Sequence, residues 1–268
     1  MSASKRNNFV WIFIVFATLF FFAILTVIGI VIMNEKTIIV PDEVGTISGA
    51  VSMAEPGDII LVKVKENGTP YNESFTINQD KIKLIGIGKE KPVIDSPSIA
   101  IRLNTTSGVL VRSFDFQGNS IAIQVLTSES NMIKDNSFID NSLGITLSDS
   151  DRNILKGNTS SGNSNPISLS FSNNNLINGN TLNNDSANGI NLSNSDGNLI
   201  KRNTVTNIGF NGILLNTSSN DNDVFFNRAF GNGDGVVTFD INDEGNPGTN
   251  NNLKGNKCDT SSPEGLCK

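Results

Sequence analysis

Six hexapeptides that begin and end in asparagine recur through the second half of the chain, and their spacing restricts what it can fold into. They read NMIKDN from Asn131, NILKGN from Asn153, NLINGN from Asn175, NLIKRN from Asn198, NDVFFN from Asn222 and NNLKGN from Asn251. The steps are 22, 22, 23, 24 and 29 residues, the last lengthened by an inserted stretch from Asp243 to Asn250. A second segment keeps the same period. In it Ile101, Ile123, Ile145, Ile167, Ile190 and Ile213 form one column, and Leu103, Val125, Leu147, Leu169, Leu192 and Leu215 another. Polar residues alternate with these, the period-two mark of a strand with one buried face. Ile133, Leu155, Ile177, Ile200, Val224 and Leu253 make a third apolar column.

Short strands recurring at this distance, with no helical stretch between them, cannot keep such columns as local hairpins. They keep them when the chain coils, so that each strand pairs with its equivalent one turn later and like side chains stack about 4.8 Å apart. The spacing therefore predicts an all-β, single-stranded parallel β-helix. A leucine-rich repeat of similar period requires a Leu-x-x-Leu-x-Leu pattern, which is missing. The asparagines are expected at tight corners, tolerating left-handed backbone and stacking their amides from coil to coil. The open end is expected to be capped. Ile47, Ala50, Val51 and Ala54 fall on one face of a short helix that Thr46 caps, and Glu55-Pro56-Gly57-Asp58 turns into a strand over residues 59–64.

The run GTISGAVSMAEPGDIILV, with YNESFTI and KIKLIGIG after it, resembles the N-terminal cap and first coils of pectate-lyase-like proteins. The later N-x-I-x-x-N coils are similar to the repeats of the NosD-like group. Together these resemblances cover roughly residues 38–258. They imply a right-handed β-helix, in a superfamily that holds polysaccharide lyases, glycoside hydrolases, uronate epimerases and members without known activity.

Phe9 to Met33 contains no charged residue, and its 25 residues span about 37 Å as a helix. Lys5 and Arg6 precede it, which places the N-terminus inside and everything after Met33 outside. The expected organisation is a cytoplasmic N-terminus (1–8), a single transmembrane signal-anchor (9–33), a spacer (34–45) and a β-helix domain (46–268). The cap segments of that domain are 46–64 and 258–268. The competing reading of the apolar run is a cleaved signal peptide, although it is long for a signal core and no A-x-A-like site follows. Cys258 and Cys267 fit an exported domain as a disulfide; two unpaired thiols are the alternative.

The chain carries a net charge of −6, and Lys5 and Arg6 are the only charges before Met33, so the remainder carries −8. This argues against nucleic acid as a partner. No histidine is present, which removes the commonest general base and metal ligand. The outward residues of the regular strand are Arg102, Gln124, Thr146, Ser168, Asn191 and Leu214, without the carboxylate pair a glycosidase needs. Carboxylates gather elsewhere. Glu129, Asp151 and Asp196 share a turn column that could hold calcium through oxygen ligands, or simply be a solvated turn. Asp221, Asp223, Asp234 and Asp240, near the irregular last coils, are the catalytic candidates, with no spacing that fixes a reaction. Copper storage is disfavoured, because imidazole and free soft ligands are nearly absent. Two functions remain: a membrane-anchored extracytoplasmic scaffold that binds glycans or surface proteins without catalysis, and a polysaccharide lyase or uronate epimerase assisted by a divalent cation.

Overall fold

A computed structural model describes residues 35–233, 237–245 and 248–267. The proposed transmembrane segment, 9–33, lies outside the described residues. Among those described, no helix is long and apolar enough to cross a membrane. Residues 36–268 form one compact unit.

Among the described residues, that unit consists of three parallel sheets of ten, eight and nine strands, here A, B and C. From Lys83 on, the chain visits A, B and C in turn and then starts the next coil, so every strand pairs with strands one coil away. In sheet A the order is 110–112, 132–134, 154–156, 176–178, 199–201, 223–225 and 252–254, each parallel to the last. The register is that of the sequence columns. Ile123 faces Ile145, Ile145 faces Ile167, and Ile167 faces Ile190. Ile133, Leu155 and Ile177 stack inside sheet A and are at most 1% exposed. The core is a narrow stack of aliphatic side chains, with Phe114, Phe116 and Phe138 in the early coils.

The N-terminal end is closed by helix α1, Ile47–Met53. The Thr46 side chain accepts from the Gly49 N–H, as the sequence predicts. Glu73 adds a second cap, accepting from the Ile47 and Ser48 N–H groups at 3.2 and 2.8 Å, where a carboxylate meets the positive end of the helix. The spacer expected over 34–45 contains a strand, β1 (Thr37–Val40), that pairs with Ile59–Lys63. Its alternation of buried Ile38 and Val40 is the reason. Cys258 and Cys267 are disulfide-bonded, with Cα atoms 5.2 Å apart.

The corners are built by a rule that corrects the sequence-based expectation. The stacked asparagines themselves are not left-handed; the residue just before each one is. Ser130, Arg152 and Asn174 precede Asn131, Asn153 and Asn175 with φ of 56°, 57° and 56°. Turning the chain there frees the asparagine to point inward. Its Oδ1 accepts the backbone N–H of its counterpart one coil earlier: Asn131 to Asn153 at 2.9 Å, Asn153 to Asn175 at 2.7 Å, Asn175 to Asn198 at 2.8 Å. A second ladder begins at Asn136 and a third at Asn119. A fourth uses hydroxyls, with Ser128, Ser150, Ser172, Ser195 and Ser219 accepting from the coil before at 2.9–3.2 Å. Corners otherwise leave buried backbone N–H groups without partners, and the ladders supply them.

Candidate functional site

The outward face of sheet C follows the expected register, from Arg102 through Gln124, Thr146, Ser168 and Asn191 to Leu214. It carries no carboxylate. Arg102 Nε donates to Gln124 Oε1 at 2.7 Å, which ties its one cation into the face.

The acidic turn column is occupied by structure. Asp151 Oδ1 accepts from the Asn173 N–H, Asn173 Oδ1 from the Asp196 N–H, and Asp196 Oδ1 from the Asn220 N–H, each at 2.7 Å. Glu129 pairs with Arg152. Among the described residues, no group of three or more His, Cys, Asp and Glu side chains could hold a metal ion.

The catalytic candidates are separated. Asp240 is buried, 1% exposed, and ends the third ladder. One of its oxygens accepts from the Asn232 backbone and side chain, the other from the Asp259 and Thr260 N–H groups. With its oxygens so engaged, it does not offer a carboxylate to solvent. Asp221 is an exposed corner residue with φ of 55°. Asp223 faces outward on sheet A and accepts from Asn252 Nδ2 at 3.1 Å. Asp234 lies outside the described residues. On sheet A, Lys134 and Arg112 share Asp135, at 3.5 and 3.3 Å.

Sequence reasoning missed one buried acid. Asp185 stands where an asparagine belongs in the third ladder and is 2% exposed. Its Oδ1 accepts from the Asn163 N–H at 2.8 Å, and the Ser160 hydroxyl donates to both carboxylate oxygens. Burial pushes its pKa up, against the lowering effect of the hydrogen bonds from Asn163 and Ser160. The break in the Asn column at Asp185 and Ile208 was the available signal. Because the folded pKa is raised, the stabilising state is the protonated one: it is fully present below the unfolded pKa and lost as pH rises through the folded value. Asp185→Asn restores the ladder chemistry without the charge. It is expected to raise stability at pH 7 by about 1 kcal/mol, with a smaller gain near pH 4. Thermal midpoints of the two proteins at both pH values check this; an equal or negative change at pH 7 contradicts it. Tyr71 is shifted as well. Burial, then Glu73 and Asp42, push it to about 12, and its hydroxyl donates to the Lys63 carbonyl at 2.7 Å.

Comparison with known proteins bears on the fold. The profile of a family described as "Periplasmic copper-binding protein (NosD)" matches residues 51–256. No curated protein matches the chain. Among solved structures, a mutant of the periplasmic alginate epimerase AlgG is similar at 17% identity and a TM-score of 0.44, over 73% of this chain and 63% of that one. A Geobacillus virus E2 protein, ORF18, is similar at 12% identity and 0.42, over 79% and 56%. An alginate lyase from Paenibacillus sp. is similar at 11% and 0.43, over 80% and 91%. The chain thus spans less than two thirds of the first two of these structures.

Proposed function

The chain belongs to the NosD family, and from that premise we propose that it is an extracytoplasmic β-helix scaffold that binds glycans without turning them over. The observation that carries this reading is the outer surface. The outward column of sheet C, from Arg102 to Leu214, is mostly polar and free of carboxylates, and the acids of the turn column are engaged in hydrogen bonds and an ion pair. A surface of fixed hydrogen-bonding groups repeated every 4.7–4.9 Å suits a repetitive ligand. In the same reading residues 9–33 anchor the scaffold in the membrane, with the β-helix outside.

The family's description names copper. The donors on this chain do not fit that metal: it has no histidine, and both cysteines are held in the disulfide. Of its four methionines, Met53 sits in the cap helix and Met132 on sheet A. Soft or imidazole ligands are what copper selects, so no copper role is assigned.

The test is incubation of the full-length protein with neutral and acidic polysaccharides, with and without calcium, scoring retention and new chain ends separately. Retention without new ends is the expected result. Calcium-dependent cleavage that disappears in Asp223→Asn or Asp234→Asn would establish a chain-cleaving enzyme instead. Absence of any retention would point to a protein partner and remove the glycan reading.

A further inference from the structure

Phenylalanine rings and cations converge on the outside of one late coil, and neither the ladders nor the core account for them there. The strand Asp223–Phe225 turns Phe225 outward, with Lys201 beside it on the coil before and Lys254 on the coil after. The next residue, Phe226, is 62% exposed. It also holds a φ of 56°, at a corner where neighbouring coils place Gly157, Gly179, Arg202 and Gly255. A bulky residue is rare in that region, and such an outlier is a reason to look for function. The Phe226 ring lies against Gly255, where a Cβ would stand 2.7 Å from two ring atoms. Its placement therefore requires a neighbour without a side chain. Past the corner, the Arg228 guanidinium stands 5.4 Å from the centre of the Phe230 ring, and Lys257 is its neighbour on the next coil. Phe171 shares the exposure and the left-handed backbone, but its corner neighbours are Asp149 and Asn194, so it has no cations beside it.

The charge pattern is local and opposite to that of the molecule. On a chain of net charge −6, Lys201 and Lys254 flank Phe225 in register, Arg202 holds the corner one coil before Phe226, and Lys257 neighbours Arg228. None of them is in an ion pair among the described residues. The acid on the same strand, Asp223, is bonded to Asn252. Exposed rings offer apolar faces for C–H-rich surfaces, and unpaired cations beside them select anionic groups at the same spacing. A sugar ring bearing a carboxylate presents both. An extended nucleic acid does not fit, because it would run on from the patch over an acidic surface.

We infer that the outer surface of this coil, centred on Phe225 and Phe226 and flanked by Lys201 and Lys254, is a subsite for acidic sugar residues. This rests on the glycan-binding reading above and names the class of glycan. The full-length protein is assayed for retention of polygalacturonate and of its fully methyl-esterified form, alongside a single-stranded oligonucleotide. Three variants accompany it: the double variant Lys201→Gln/Lys254→Gln, Phe226→Gly, and Lys156→Gln as a control on the same lysine column. Wild type is expected to prefer the free acid. The double variant is expected to weaken that binding about tenfold, more at low salt than at high, while Lys156→Gln leaves it unchanged. Phe226→Gly weakens it roughly threefold without lowering the thermal midpoint, because glycine relieves the strained corner. Equal retention of acid and ester, unchanged binding in the double variant, or tighter binding of the oligonucleotide would each overturn the subsite. If neutral glycans still bind in those cases, the scaffold reading survives; if wild type retains no glycan, both fall.

Discussion

Asn158→Ala is expected to lower the unfolding free energy by about 3–5 kcal/mol, several-fold more than a typical surface substitution. Asn158 is 1% exposed and clamps the coil before it at two points. Its Oδ1 accepts the Asn136 N–H at 3.1 Å, and its Nδ2 donates to the Ile133 carbonyl at 3.0 Å. It also passes the ladder upward, its own N–H donating to Asn180 Oδ1 at 2.9 Å and its Nδ2 reaching the same oxygen at 3.1 Å. Alanine keeps the upward backbone bond and abandons both downward ones. The Asn136 N–H then lacks its acceptor and the Ile133 carbonyl loses one of its donors in a dry corner, at about 1–3 kcal/mol each. Chemical denaturation of Asn158→Ala against Lys156→Ala, an exposed neighbour on the same coil, measures the difference. A loss below about 1 kcal/mol would mean that strand pairing alone holds the corners. Amide exchange should localise the effect, with the Asn136 N–H losing protection first.

Phe138→Ala is expected to cost about 3–5 kcal/mol for a different reason. Phe138 stacks on Phe116 with ring centres 5.2 Å apart and planes 8° from parallel. In the next coil the equivalent position is Ser160, whose hydroxyl is turned to Asp185. No apolar side chain from that side can move into the space the ring leaves, so the cavity persists and the cost stays near the upper end of the range. Phe138→Leu, which fills most of the volume, should recover more than half of the loss. If the two variants have the same denaturation midpoint, the ring is not packed as described.

Much of this architecture is legible in the sequence because stacking repeats chemistry at a fixed interval. The Ile and Leu columns and the N-x-I-x-x-N hexapeptides mark period, buried face and register together. Thr46 and the apolar face after it mark the cap. What could not be read is which atom does what at a corner. The sequence places the left-handed backbone at the asparagine, whereas it belongs to a preceding residue that varies among Ser, Asp, Asn, Gly, Arg and Phe and leaves no column to notice. The serine ladder was likewise hidden, since Ser is common throughout the chain. Asp240 reads in the sequence as a catalytic candidate, because nothing local marks a carboxylate that substitutes for an amide and takes four N–H donors. The aromatic and cationic patch is legible only after register brings together Lys201, Phe225 and Lys254, which are far apart in the chain.

The ladders also have a direction. Each inward asparagine or serine serves the coil behind it, so a coil's corner N–H groups find their acceptors only when the following coil arrives. Assembly from the N-terminus therefore works as a one-way zipper. The newest turn is always the incomplete one, and each arriving turn locks the one before it. A domain delivered across a membrane beginning with its cap segment would present its coils in that order, with the capped helix end already closed and a single raw edge travelling toward the C-terminus. At the last coils the pattern must stop, and there Asp240 takes N–H groups from both sides while the Cys258–Cys267 disulfide closes the segment beyond it. Those two features work as the zipper's end stop.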